Sequence, residues 1–329
     1  MEKLSLKDVF KEASRLKASD IHLLHGEMVL FRIDGVLKRI DQFEIVKSCD
    51  VEKIIFPFFD LKQNYSFEQK KELDFSFGLE GLGRYRGNLH RVAKGNISLV
   101  VRVLPEIIPD LLSLGLPKEI VSFSEFKNGL ILITGSTGSG KSTTLSALVD
   151  RINSERALNI ITVEDPIEYV YKNKLGIIKQ KEVGTDVESF NSALKNILRQ
   201  DPDIIVVGEL RDKESMEMAI KASETGHLVI STLHTNGAVE TIERIVSEFP
   251  QEKVTGLCKR LSSNLRGIIS QELILNSSNE RVLLYEILVV NNAVKNLIGT
   301  GNFNQIYSVM ESGSKYGMIT KEQCLKRMR

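Results

Sequence analysis

A chain of 329 residues has room for two ordinary domains, and its 42% hydrophobic and 26% charged residues exclude a disordered or membrane-embedded protein. The formal charge of +1 gives no global argument for a nucleic-acid partner or an anionic membrane surface. Three widely spaced cysteines (Cys49, Cys258, Cys324), no apolar signal core in MEKLSLKDVF and no stretch near the roughly 20 apolar residues of a bilayer span point to the cytoplasm.

In chain order, residues 5–17 read as an amphipathic helix with Ser5 as N-cap and Val9, Phe10, Ala13 and Leu16 on one face. Short strands follow at 21–24, 29–33 and 36–40, the last two joined by the hairpin turn Asp34-Gly35. A helical stretch near 50–70 precedes alternating, antiparallel-type strands at 74–77, 83–91 and 97–104. Three of the seven prolines (Pro105, Pro109, Pro117) then mark a linker. Beyond it, continuously apolar runs at 130–134, 160–163, 204–207 and 228–233 alternate with helical periodicity. Runs apolar at every position suit strands covered on both faces, as in a doubly wound parallel sheet. Cys258 continues a helical spacing with Val254, Leu261 and Leu265, and Met216 and Met218 read as core filler. From Asn291 the tail reads as short helices, with a capping box at Thr320 and Gln323 and a solvated basic end.

The strongest signal lies at 135–142, where GSTGSGKS fits the phosphate-loop pattern G-x-x-x-x-G-K-[ST] between a strand and a helix. Glycines let backbone N–H groups turn inward around a phosphate, and the helix N-terminus adds a favourable dipole. Gly135, Ser136, Thr137, Gly138, Ser139, Gly140, Lys141, Ser142 and Thr143 are therefore the candidate ATP-binding residues. Lys141 is expected on the β- and γ-phosphates, and the Ser142 hydroxyl on Mg²⁺. Two further strand ends carry acids: Glu209 after Asp203-Ile204-Ile205-Val206-Val207-Gly208, and Glu164 in TVEDPIE. Either carboxylate can ready a water or serve the metal, and spacing alone does not choose between them. Glu209 is the candidate metal-side group, acting through water, which Mg²⁺ gives up reluctantly. His234, at the far end of the 228–233 strand, is a candidate γ-phosphate contact. His227, at the near end, is balanced between structural and functional roles; His22, His25 and His90 read as structural.

GSTGSGKSTT, TVEDPIEYV, LRQDPDIIVVGELRD and TGHLVISTLHTNGA stand in the order and spacing of type II/type IV secretion ATPases. Within that superfamily the chain most resembles the PilT-type pilus retraction ATPases of twitching motility. The opening ASDIHL with its RIDG hairpin and the tail AVKNLIGTGNFNQIYSVMESGSKYGMITKEQCL carry that closer likeness. Three scattered cysteines also cannot build the four-cysteine zinc site common in extension and secretion ATPases. The resemblance implies an α/β fold with a RecA-like P-loop NTPase core. It further implies a PAS-like α+β domain at 1–104, a linker at 105–111, and an ATPase domain at 112–329 with C-terminal helices from about 291. It also implies a homohexamer that hydrolyses ATP with Mg²⁺, in the cytoplasm against the inner membrane. The implied partners are a pilus base protein and an extension ATPase, with no nucleic acid. It assigns water activation to Glu164, the metal side to Glu209 and a histidine box to His234. Arginines of the small domain, Arg86 and Arg102 first and then Arg84 and Arg91, are implied to offset phosphate charge. Two departures stand out: Ser136 replaces a proline, and NLIGTGN replaces a stretch that usually holds an Arg-Glu pair. The competing readings are a pilus extension or type II secretion ATPase, a ring helicase or DNA translocase, and a nucleotide-binding regulator without turnover.

Overall fold

Alternating burial along short strands builds the first part of the chain in this computed structural model, which describes residues 5–105, 107–276 and 280–328. Strands β1 (Asp20–Leu24), β2 (Val29–Ile33), β3 (Val36–Ile40), β4 (Glu72–Leu79), β5 (Gly83–Val92) and β6 (Asn96–Val103) form an antiparallel sheet in the order β3-β2-β1-β6-β5-β4. Asp34 and Gly35, at φ 52° and 81°, make the left-handed two-residue turn that the β2–β3 hairpin requires. Helix α1 (Leu6–Arg15) buries Val9, Phe10 and Ala13 against Ile21, Phe31 and Tyr85 of the sheet's core face. The expected helical stretch near 50–70 is two helices, α2 (Ser48–Ile55) and α3 (Leu61–Lys70). A short 3₁₀ turn containing Pro57 breaks it, and Asp60 restarts the helix through a capping box with Gln63.

The second unit alternates in the other way, strand with helix. Its sheet comprises β7 (Gly129–Thr134), β8 (Asn159–Glu164), β9 (Ile177–Glu182), β10 (Ile204–Val207), β11 (Leu228–Leu233), β12 (Leu265–Leu275) and β13 (Arg281–Val289), in the order β13-β12-β7-β11-β10-β8-β9. Every pair is parallel except the β12–β13 hairpin at one edge. The apolar runs are covered on both faces, as their patterning requires. Leu130, Leu132, Ile161, Val163, Ile205 and Val207 face one core layer. That layer is filled from α5 (Phe190–Ile197), α6 (Lys213–Glu224), α7 (Ala238–Ser247), α8 (Gln251–Asn264), α9 (Asn292–Thr300) and α10 (Ile306–Ser312). Ile131, Ile133, Ile160, Ile204 and Val206 face the other, filled from α4 (Lys141–Glu155), residues 111–123 and α11 (Lys321–Met328).

The chain thus forms two compact units, one running to Ile107 with Glu168–Val170, the other holding Ile108–Ile167 and Tyr171–Arg329. Sequence patterning missed three strands of the second unit. Leu265, placed by its spacing on the α8 helix face, instead opens β12, because helix and strand meet there with no loop to announce the change. Cys258 and Met216 are buried core, and Thr320 and Gln323 form the expected reciprocal cap of α11 at 3.1 and 3.3 Å. Among the described residues no helix is long and apolar enough to cross a membrane.

Candidate active site

β7 runs buried along its whole length and delivers its last residue, Thr134, to the start of the phosphate loop. Gly135 has φ +146°, and a Cβ there would lie 2.1 Å from the Gln271 carbonyl oxygen, so no other residue fits without moving the backbone. Ser136, Thr137 and Gly138 are exposed at the loop's tip, and Ser139 turns back inside. Gly140, at φ +87°, is the N-cap from which α4 begins with Lys141, Ser142 and Thr143. The loop therefore hands directly into a helix N-terminus, the arrangement suited to an anion. Lys141 is buried, and its Nζ donates to the carbonyl oxygens of Gly135 and Ser136, each at 2.8 Å. The same ammonium lies 3.4 Å from His234 Nδ1.

β7, β11, β10 and β8 are consecutive in the sheet and parallel, so their C-terminal ends share one rim. That rim gathers the predicted unit-two residues. His234, directly after β11, approaches Glu209 Oε1 through Nε2 at 3.1 Å. A neutral ring protonated on Nε2 satisfies both neighbours, donating to Glu209 and presenting Nδ1 to Lys141. Glu209 in turn accepts at Oε2 from Arg211 Nε at 3.0 Å, and Arg211 also reaches Asp165 at 3.4 Å. The hydrogen bond to Glu209 holds the Arg211 guanidinium above the usual arginine range. Thr232 fixes the approach to Glu209 by donating to the Gly208 carbonyl at 2.6 Å. A Cβ at Gly208 would meet the Val163 carbonyl oxygen at 3.3 Å and Glu164 Cα at 3.4 Å, so the glycine lets two acidic strand ends lie close together.

Glu164, the last residue of β8, is buried at 7% exposure. Its Oε1 accepts from Thr162 Oγ1 at 2.7 Å and from Gln180 Nε2 at 3.0 Å. These two donors, with Arg211 and Gln271, contact the candidate site residues and carry no local motif. Gln180 lies in the lysine-rich strand β9, IIKQKE, which carries no strand pattern, whereas Arg211 sits in the LRQDPDIIVVGELRD segment and Gln271 interrupts the apolar run IISQELIL. Sorting polar residues inside apolar runs would have found Gln271. His227 lies at the opposite end of β11, where Nδ1 meets Thr225 Oγ1 at 3.0 Å and the Ala222 carbonyl at 3.1 Å. It fastens the turn after α6 and has no place on the rim.

The predicted arginines sit in the first unit as a row of register partners. Arg32, Asp20, Arg102 and Arg86 lie opposite one another across β2, β1, β6 and β5. Asp20 takes Arg102 Nε at 3.2 Å and Arg32 Nε at 3.8 Å. Arg84 shares the Arg86 face by the two-residue strand period. Arg91 is engaged locally, bonded to Glu68 at 2.8 Å and to the Gly95 carbonyl at 3.1 Å while lying over the Phe67 ring.

The sequence model of the type II/IV secretion system protein family matches residues 1–325. The chain belongs to that family. Among curated relatives, the type IV pilus retraction ATPase PilT of Pseudomonas aeruginosa is 39% identical over 323 residues, 98% of this chain and 93% of that protein. A twitching motility protein of Neisseria gonorrhoeae is 38% identical over 322 residues, covering 96% of this chain and 86% of its own. Among solved structures, that of the pilus retraction motor PilT with bound ADP superposes with a TM-score of 0.89 at 43% identity. The match covers 98% of this chain and 96% of that one, and the fold of this family member is accordingly a RecA-like ATPase core with a smaller N-terminal domain.

Proposed function

We propose that this secretion-family chain is an ATP-hydrolysing motor subunit that powers type IV pilus retraction. The observation that carries the reading is one continuous chain of contacts, from Lys141 in an intact phosphate loop through His234 to Glu209, on the rim that also presents buried Glu164. Backbone N–H groups of residues 135–143 and Lys141 bind the triphosphate. Glu164, oriented by Thr162 and Gln180, takes a proton from the attacking water. His234 joins the loop lysine to Glu209, so it registers whether the γ-phosphate is in place.

The half-buried Ser142 hydroxyl and the Glu209 carboxylate are hard oxygen donors of the kind Mg²⁺ prefers. Both Glu209 oxygens already have partners, which suits a metal reached through its water shell. When bound, the ion offsets charge on the β- and γ-phosphate oxygens. Arg86 and Arg102, with Arg84, supply cationic charge from the N-terminal unit, which we take as the PAS-like domain at 1–104, joined by a linker at 105–111 to the ATPase domain at 112–329. We place the working assembly as a homohexamer in the cytoplasm, acting on a pilus base protein at the inner membrane.

Two measurements test this. Purified protein given ATP and magnesium releases phosphate, and Lys141→Ala abolishes both binding and release; hydrolysis surviving that substitution removes the proposal. Deleting the gene in its own cell leaves many pili that do not retract, whereas loss of pili indicates an extension or secretion motor instead.

A further inference from the structure

Among the buried polar side chains that the proposed ATP reaction leaves unused, Gln271 lies against the phosphate loop itself. Gln271 is only 2% exposed, yet its Oε1 makes no hydrogen bond among the described residues, an expensive choice for a core position that an apolar side chain could fill. It lies on β12, one residue past Ser270, which pairs with Thr134 at the end of β7. β12 therefore continues alongside the phosphate loop after its neighbour strand has stopped. The Gln271 carbonyl oxygen occupies the space that a Cβ on Gly135 would need, 2.1 Å from it. Its Nε2 donates to the Ser139 carbonyl at 2.7 Å and stands 3.2 Å from where a Cβ on Gly140 would be. One residue thus touches the first and last glycines of the loop.

We propose that Gln271 is a positioning residue that sets the phosphate loop in its anion-binding conformation, through the hydrogen bond from its side-chain amide to the Ser139 carbonyl. The physical reason lies in the planar trans peptide between Ser139 and Gly140. Its C=O and N–H point in opposite directions, so holding the carbonyl outward against Gln271 aims the Gly140 N–H toward the inner side of the loop. Preorganised donors cost no rearrangement when the anion arrives. Without the amide the peptide is free to rotate, and binding must first order it. The β12–β13 ladder, unbroken from Gly267 to Leu275, makes the support a rigid one.

The inference rests on the reading of residues 135–143 as a nucleotide site, and the test separates the two. ADP with magnesium is titrated into wild type, Lys141→Ala, Gln271→Met and Gln271→Glu, with folding checked by circular dichroism. Methionine keeps the length and loses the donor. Gln271→Met is expected to bind ADP about tenfold more weakly, with KM for ATP rising in step and kcat within twofold of wild type. A carboxylate cannot donate, but a carboxylic acid can. Gln271→Glu should therefore bind weakly at pH 8 and recover toward wild type as pH falls to 6, a dependence that mere loss of packing would not give. Wild-type affinity in Gln271→Met overturns the inference. Should Gln271→Met not fold, weak binding by Gln271→Glu that ignores pH overturns it equally. Failure of the wild type to bind ADP removes the nucleotide reading itself, and this inference with it.

Discussion

Replacing Glu164 by Gln isolates chemistry from structure. Thr162 Oγ1 at 2.7 Å and Gln180 Nε2 at 3.0 Å both donate to Glu164 Oε1, and a glutamine amide oxygen can accept both of these bonds in its place. The side chain therefore keeps these two bonds at the end of β8 while it loses its charge and basicity. A positioned general base contributes about 10² to 10⁴ in rate. At about 1.36 kcal/mol per decade, that is a barrier increase of roughly 3–5 kcal/mol. Phosphate release at saturating ATP and magnesium should fall at least 100-fold, while the dissociation constant for ADP stays within threefold. A turnover number within fivefold of wild type would refute the assignment. Glu209→Gln is the control that gives the result direction. That carboxylate is clasped by His234 and Arg211, so its loss should disturb nucleotide affinity together with rate. A large rate effect at Glu209 with intact binding, and a small one at Glu164, would exchange the two roles.

Two further outcomes follow from buried groups near the rim. Glu286, on β13, is 5% exposed and accepts from the Ala238 N–H at 2.7 Å, at the start of α7; burial pushes its carboxyl above the usual range, opposed by that bond, with Glu240 and Glu322 adding and Lys321 subtracting. Because the folded-state value is raised, the stability tied to its proton is present at low pH and lost as pH rises, so Glu286→Gln, which can still accept from Ala238, should gain on wild type by on the order of 1 kcal/mol between pH 5 and pH 8 in urea unfolding; a gap that stays constant or shrinks contradicts it. Gly135→Ala must place a methyl group 2.1 Å from the Gln271 carbonyl at φ +146°, and should cost about 3 kcal/mol and abolish ADP binding; a calorimetric Tm within 2 °C of wild type would show the loop to be more yielding than described.

The parts of this molecule legible in its sequence are those fixed by local rules. The Asp34-Gly35 turn, the doubly covered runs of β7, β8, β10 and β11, the phosphate loop and the acids at strand ends each state themselves within a dozen residues. What escaped depends on partners distant in sequence. β9 is IIKQKE, half exposed and rich in lysine, and becomes a strand because β8 pairs with it from Asn159 to Glu164. Gln180 then reaches Glu164 across that pairing, sixteen residues back along the chain. Gln271 reaches Ser139 across 132 residues. The candidate site's lysine and carboxylates are thus announced by motif, while the groups that orient them are selected by sheet order, which no local spacing encodes.

The arginine row extends this point to electrostatics. Arg86 and Arg102 are direct cross-strand partners, and like charges placed opposite one another weaken a sheet. The single acid among the row's register partners, Asp20, is already held by Arg102 at 3.2 Å and Arg32 at 3.8 Å, which leaves Arg86 without a carboxylate in that row. A surface tuned for stability alone would alternate signs across these strands. An excess of cations in register, on strands that bury Tyr85, Leu89, Val101 and Leu99 on the other face, is instead a rigid mount for guanidinium groups. Because arginine stays charged at any working pH and matches phosphate oxygens in pairs, such a mount is stabilised whenever a polyphosphate completes it. On the proposed function, nucleotide charge would strengthen the fold that presents the arginines, and its loss on hydrolysis would weaken it. That reciprocity is the physical basis on which a cycle of binding and release can be turned into movement.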